Sequence, residues 1–182
     1  MDRAKVMPLL KGVLVLAAIA LCSGLLLGFF NVLTYVDPLQ ATYEQFAEDT
    51  GATFSEMADE EGAAYGNGSV IYYAVSDDGR YHAFLAQGGG GYGGNVQMYV
   101  YVADGKIEKI VIGENSETFL SQLESADFYS RFVGQEIASF DPSSVDVVSG
   151  ATRSSTAVKN GVNAVVQYYN EKIAGGDGNG QA

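Results

Sequence analysis

Between Gly12 and Val36 the chain carries no charged residue, and that run limits what it can fold into more than any other feature. About 20 apolar residues, each rising about 1.5 Å, span a bilayer, so residues 12–36 read as a single transmembrane helix. Arg3, Lys5 and Lys11 precede the run, and Asp37, Glu44 and Glu48 are the first charges after it. The positive-inside bias then places residues 1–11 in the cytoplasm and the C-terminal part outside, as a single-pass protein of a bacterial cytoplasmic membrane. A cleaved signal peptide would have a shorter apolar region, and the Ala18-Ile19-Ala20 pattern lies inside the run rather than at its end. Cys22 follows Leu21, where a lipid-modified cysteine wants a small residue, so Cys22 reads as an apolar helix residue.

The 182 residues leave material for about one domain beyond this helix. No cysteine follows Cys22, so disulfides cannot staple that domain and its apolar core must hold it. The net charge is -12; the four charges before the run sum to +2, which leaves -14 beyond it. Nucleic acid, which needs clustered basic residues, is therefore not an expected partner.

The pattern along the chain is α+β. Residues 37–51 place Leu39, Tyr43, Phe46 and Ala47 at helical spacing, and residues 55–68 are acidic and read as a loop or frayed helix, so 37–68 form a juxtamembrane helix and acidic loop. Tyr- and Val-rich runs at 69–76 and 80–86 flank Asp77-Asp78-Gly79, and 96–103 and 106–113 flank Asp104-Gly105: two hairpins. Residues 87–95 are mostly glycine, read either as a flexible connection or as a way of admitting a ligand. Residues 116–132 look helical, Asp141-Pro142 breaks the chain, and 154–173 carry Val158, Val162, Val165, Val166, Tyr169 and Ile173 on one face. The domain thus spans 69–173, and the Gly-rich tail 174–182 has the composition of a disordered segment.

Just before that last helix stands Asp146-Val147-Val148-Ser149-Gly150-Ala151-Thr152. Small residues before Thr152 leave its hydroxyl open to another enzyme, and the N-terminus of the following helix favours an anion there. Ser154 or Ser155 can cap the helix. The pattern Asp-x-x-Ser/Thr-Gly-Ala-Thr resembles the flavinylation motif of the FMN-binding domain family, whose membrane-anchored members include the RnfG-type component of the Rnf electron transport complex and the related NqrC-type component of the sodium-pumping NADH:quinone reductase. The resemblance implies FMN joined covalently, by a phosphodiester, to Thr152, with Ser149, Gly150, Ala151, Ser154 and Ser155 around it and Asp146 assisting recognition by a flavin transferase or bonding the motif's backbone. It also implies as partners the other membrane components of an ion-translocating ferredoxin:NAD+ oxidoreductase, with this chain a redox component rather than an enzyme by itself.

A second stretch supports the resemblance. Gly91-Tyr92-Gly93-Gly94, a strand, Asp104-Gly105, a second strand and Ser116-Glu117-Thr118 follow the family's order of elements, which nominates Tyr92, Gly93, Gly94, Glu117 and Thr118 as cofactor contacts. Where the family commonly has His-Ser-Glu-Thr-Pro-Gly-Leu-Gly, this chain has Asn115 to Gln122 without the histidine, the proline or either glycine. Phe119 offers an apolar surface in their place, and a stand-alone anchored carrier stays open beside the Rnf component.

Other constellations fail on context. Gly88, Gly90 and Gly93 match a dinucleotide fingerprint, but a strand rather than a helix follows, and no Lys-Ser/Thr ends the run as in a P-loop. His82 lies in a strand and Ser69 has no nucleophile elbow. Zinc and iron–sulfur ligands are lacking, and Asp59, Glu60 and Glu61 lack the alternation of a calcium loop. Asn67-Gly68-Ser69 is a short sequon match that carries little weight. The rival of another class is a cofactor-free, membrane-tethered interaction module that binds through its Tyr-rich hairpins.

Overall fold

Asp104 and Gly105 both adopt positive φ, 51° and 73°, the backbone that a two-residue type I′ hairpin requires and that Asp-Gly readily supplies. That turn joins two strands in a computed structural model of the protein describing residues 3–35, 38–59 and 61–175. The chain divides into two units, Met1–Ala41 and Thr42–Ala182.

The first unit is dominated by helix α1 (Arg3–Thr34). Every side chain from Lys11 to Tyr35 is exposed, so this apolar surface is buried against nothing in its own unit. From Gly12 onward this helix is uncharged on every side and long enough to cross a membrane. Thr34 returns its hydroxyl to the Phe30 carbonyl (2.8 Å), which keeps its polar group inside the helix.

Helix α2 (Pro38–Thr50) opens on a proline, where the missing N–H costs nothing. It ends at Gly51, whose φ of 71° lets its amide reach the Ala47 carbonyl (2.8 Å). In the second unit Phe46 is fully buried, with the rings of Phe54, Tyr99 and Tyr101 at 5.4, 6.0 and 6.0 Å.

Among the described residues six strands form one antiparallel sheet: β1 (Met57–Asp59), β2 (Ala63–Tyr65), β3 (Gly68–Val75), β4 (Tyr81–Gly88), β5 (Val96–Ala103) and β6 (Lys106–Ile112). Their order is β1-β3-β4-β5-β6, with β2 also paired to β3. One face places Phe84, Ala86, Met98 and Val100 against helix α4 (Thr152–Tyr168); the other places Ala74, Ala83, Leu85 and Tyr101 against Phe46. Full burial of Val158, Val162 and Val165 contributes about 1.5–3 kcal/mol each. A register shift between Val70 and Tyr72 interrupts strict alternation in β3, so Ile71 and Tyr72 both pack on the Phe46 side.

Three expectations need correction. Residues 55–68 are not a loop or frayed helix: they hold β1 and β2, joined by a corner in which Asp59 accepts from the amides of Glu61 and Gly62 (2.9 and 3.0 Å). Residues 116–132 are not one helix: α3 covers only Leu120–Ser125, and Asp127 at φ 49° separates it from a 3-10 turn at Tyr129–Phe132. The last helix starts at Thr152 rather than Ser154 and passes into a π-helical turn at Tyr169–Ala174. The expected disordered tail lies, from residue 176 onward, outside the described residues.

Candidate functional site

Of four consecutive motif residues, Ser149 to Thr152, only Ala151 is buried. Ser149 is exposed in a turn closed by the Ala151 amide on the Val148 carbonyl (3.0 Å). Gly150 takes φ 82°, as the third residue of a type II turn must. Ala151 is buried, and Thr152 is exposed as the first residue of α4. Among the described residues the Thr152 hydroxyl makes no hydrogen bond; only its carbonyl is used, by Thr156 Oγ1 (2.8 Å).

Ala151 occupies the N-cap and has no side-chain oxygen to offer. The amides of Thr152, Arg153 and Ser154 therefore have no acceptor among the described residues, and the first amide bonded is that of Ser155, to the Ala151 carbonyl (2.9 Å). Ser154 and Ser155 do not cap, contrary to the sequence reading, because both are fully buried with their hydroxyls engaged. Ser155 Oγ donates to the Ala151 carbonyl (2.9 Å) and accepts the Val148 amide (3.0 Å). Ser154 Oγ donates to Glu117 Oε1 (2.6 Å).

Glu117 joins three separate segments. Its other oxygen accepts the Gly93 amide (2.8 Å), so one carboxylate ties the glycine segment after β4, the stretch after β6 and the first turn of α4. Burial alone would raise its pKa; hydrogen bonds from Ser154 and from the amides of Gly93, Thr118 and Phe119 outweigh that and hold it below the usual glutamate value. The carboxylate is ionised at neutral pH and spent on the protein itself. Thr118 is exposed beside it.

The glycine segment is packed rather than loose. A Cβ on Gly88 would collide with the Ala157 carbonyl oxygen of α4, one on Gly91 with the Gly94 carbonyl and the Glu117 carboxylate, and one on Gly93 with the Ser116 carbonyl. Gly94 at φ 145° is a backbone position that only glycine fills easily. Asn160 of α4 donates to the Gly89 carbonyl (2.9 Å). These contacts decide against a flexible connection between hairpins.

Together they shape an open cleft of about 260 Å3 lined by Tyr92, Phe119, Gly150, Ala151, Thr152 and Arg153. Tyr92 is 64% exposed and stands edge-on to Phe119, ring centroids 5.2 Å apart. The cleft thus joins an aromatic wall, an unbonded hydroxyl and uncapped helix amides. An anionic phosphate ester at Thr152 fits that donor set, and the Tyr92 and Phe119 rings offer aromatic surface to a planar group.

Residues 91–167 match the family model of the FMN-binding domain. The match runs from Gly91 through β5 and β6 to the last turn of α4, so it contains the Glu117 tie and the whole of the cleft. It supports the FMN-binding family and, with it, FMN as cofactor. No curated protein and no solved structure matches the chain.

Of the nominated residues, Tyr92, Gly150, Ala151 and Thr152 line the cleft, while Gly93, Glu117 and Ser154 form the bonded layer beside it. Asp146 does not line it. Its carbonyl is held by Arg131 Nη1 (2.9 Å) and its side chain is exposed. Sequence reasoning missed Arg153, although it adjoins the motif, and Asn115, whose side chain bonds the Gln97 amide and carbonyl (2.7 and 3.1 Å) and fixes the stretch leading to Glu117. Nothing local in the sequence marks the tie from Asn115 to Gln97 or from Asn160 to Gly89, because those partners lie 18 and 71 residues away.

Proposed function

We propose that the chain is a membrane-anchored flavoprotein that carries FMN as a phosphodiester on Thr152 and relays electrons as the redox component of an Rnf-type ion-translocating ferredoxin:NAD+ oxidoreductase. The observation that carries this reading is the Thr152 hydroxyl, exposed and unbonded at the uncapped start of a 17-residue helix and beside an aromatic wall, inside the segment matching the FMN-binding domain. Bound FMN would supply one- and two-electron redox chemistry. Thr152 would hold its phosphate, the amides of Thr152 and Arg153 would receive the negative charge, and Tyr92 with Phe119 would face the ring. The length of α1 and the uncharged stretch it contains from Gly12 onward support anchorage, and the basic residues before that stretch with the acidic ones after it support an extracytoplasmic domain. Covalent attachment suits that location, since a cofactor free to dissociate there would be lost from the cell.

A solitary anchored carrier is the second reading. It is favoured by the turn Phe119 to Gln122, which enters α3 where the Rnf components have an open Pro-Gly-Leu-Gly loop. Both readings need the same ester. Full-length protein produced alongside a flavin transferase should gain the mass of FMN less one water, and Thr152→Ala should gain none while keeping the wild-type circular dichroism spectrum. A wild-type chain at its bare polypeptide mass, or a flavinylated Thr152→Ala, refutes the assignment. Recovery of other membrane components with the flavinylated chain separates the complex from the solitary carrier.

A further inference from the structure

Arg153 is the cleft residue that neither the motif nor the packing explains. It is exposed, it follows Thr152 directly, and it lines the cleft with Tyr92 and Phe119. Of the six other Lys and Arg residues of the second unit, five are engaged by contacts and Lys172 acts electrostatically on Asp59. Arg80 lies over the Tyr81 ring at 4.8 Å, Lys106 and Lys109 pair with Glu136 and Asp49, and Arg131 and Lys159 hold the carbonyls of Asp146, Ser143 and Val145. Among the described residues Arg153 has no hydrogen bond, ion pair or ring contact. An unpaired guanidinium at the mouth of a cleft, in a segment with 14 excess negative charges, is free to meet a ligand's charge.

Two anionic centres could meet it. A phosphate on Thr152 already has the open amides of the first α4 turn as donors. The ring has none of these, and it is the ring whose charge changes: two electrons from a reductant such as dithionite, which is itself oxidised to sulfite, and one proton from water leave it with one added negative charge. We infer that Arg153 is the electrostatic partner of the FMN ring in its reduced, anionic form and raises the midpoint potential of the flavin. A cation fixed where charge develops favours the charged state, reduced here by solvent exposure and salt.

The inference rests on FMN being attached at Thr152, and the experiment keeps the two apart. Full-length flavinylated protein in detergent is titrated with dithionite and mediator dyes, for wild type and for Arg153→Lys, Arg153→Gln and Arg153→Glu, each first checked for the adduct mass. Arg153→Gln should change the oxidised-to-reduced ratio at fixed potential about tenfold, a fall of about 30 mV for a two-electron couple. Arg153→Glu should fall about twice as far, Arg153→Lys should keep most of the wild-type value, and the differences should shrink in molar salt. Adduct present with the Gln and Glu variants at the wild-type potential overturns the role of Arg153 and leaves the attachment standing. A wild type without adduct overturns both.

Discussion

Replacing Glu117 by glutamine exchanges one carboxylate oxygen for an amide nitrogen at almost constant shape, and the surroundings of that carboxylate define the consequence. It is 8% exposed and accepts from the Gly93 amide at 2.8 Å and from the fully buried Ser154 hydroxyl at 2.6 Å. Glutamine can keep its oxygen on the Gly93 amide only if Ser154 turns from donor to acceptor. At best two charge-assisted bonds, worth about 1.5–3 kcal/mol each, become two neutral ones of about 0.5–1.5. Easier burial of the uncharged amide offsets part of this, leaving a loss of about 2 kcal/mol, roughly 8 °C in Tm for a domain of this size. The sign of the pH dependence is fixed as well. Because the folded pKa of Glu117 lies below the ordinary value of about 4.3, its contribution is complete above that value and disappears as pH falls through the folded pKa. Thermal unfolding of both proteins from pH 7 to pH 3 should show a gap that is widest at neutral pH and closes in the acid range. A gap below about 0.5 kcal/mol at pH 7, or one that stays constant to pH 3, refutes the view of Glu117 as a charged tie between the three segments.

Gly88→Ala should cost about 3 kcal/mol or prevent folding, because its Cβ meets the Ala157 carbonyl oxygen, which cannot yield without displacing α4. Gly90→Ala, whose nearest contact is Asn160 Nδ2 at 3.9 Å but whose φ is 92°, should cost about 1–2 kcal/mol through backbone strain alone; denaturant midpoints that reverse this order contradict the packed reading of the glycine segment. Tyr101→Phe should cost about 1–2 kcal/mol by removing the 2.6 Å bond to Asp49, and combining it with Asp49→Asn should cost less than the sum, since the two share one network with Lys109.

What the sequence made legible is what short-range physics decides. Asp104-Gly105 announced its hairpin because two adjacent positive φ values suit that pair, and the apolar face of α4 followed from spacing alone. Gly150 was read as an opening beside Thr152, and it does adjoin the cleft, though its residue type is dictated by the turn that precedes the helix. What stayed hidden depends on distant partners. β1 and β2 are three residues each, too short for an alternating pattern, and exist because β3 offers its edge. The break in residues 116–132 falls at Asp127, a non-glycine residue at positive φ that no composition rule marks. The glycine segment misled most, since glycine suits both a loose linker and a close approach, and only the backbone of α4 lying against Gly88 separates the two.

The same division runs through the four polar residues that open α4. Thr152, Arg153, Ser154 and Ser155 look alike in sequence as a hydrophilic start to a helix, yet helical geometry turns the first two outward and the second two inward. Inward-facing hydroxyls must find acceptors, because a buried unpaired polar group costs about 1–3 kcal/mol. Ser154 finds Glu117, and Ser155 finds the Ala151 carbonyl and the Val148 amide. Outward-facing groups carry no such demand, so Thr152 and Arg153 can stay unbonded at little cost. The inward pair fixes the turn from which the outward pair projects: Ser155 fastens the backbone just before Gly150, and Ser154 fastens the helix to the carboxylate that also anchors the glycine segment. The exposed Thr152 hydroxyl is thus held in place by buried hydroxyls behind it, which gives the serines after Thr152 a structural role although neither caps the helix.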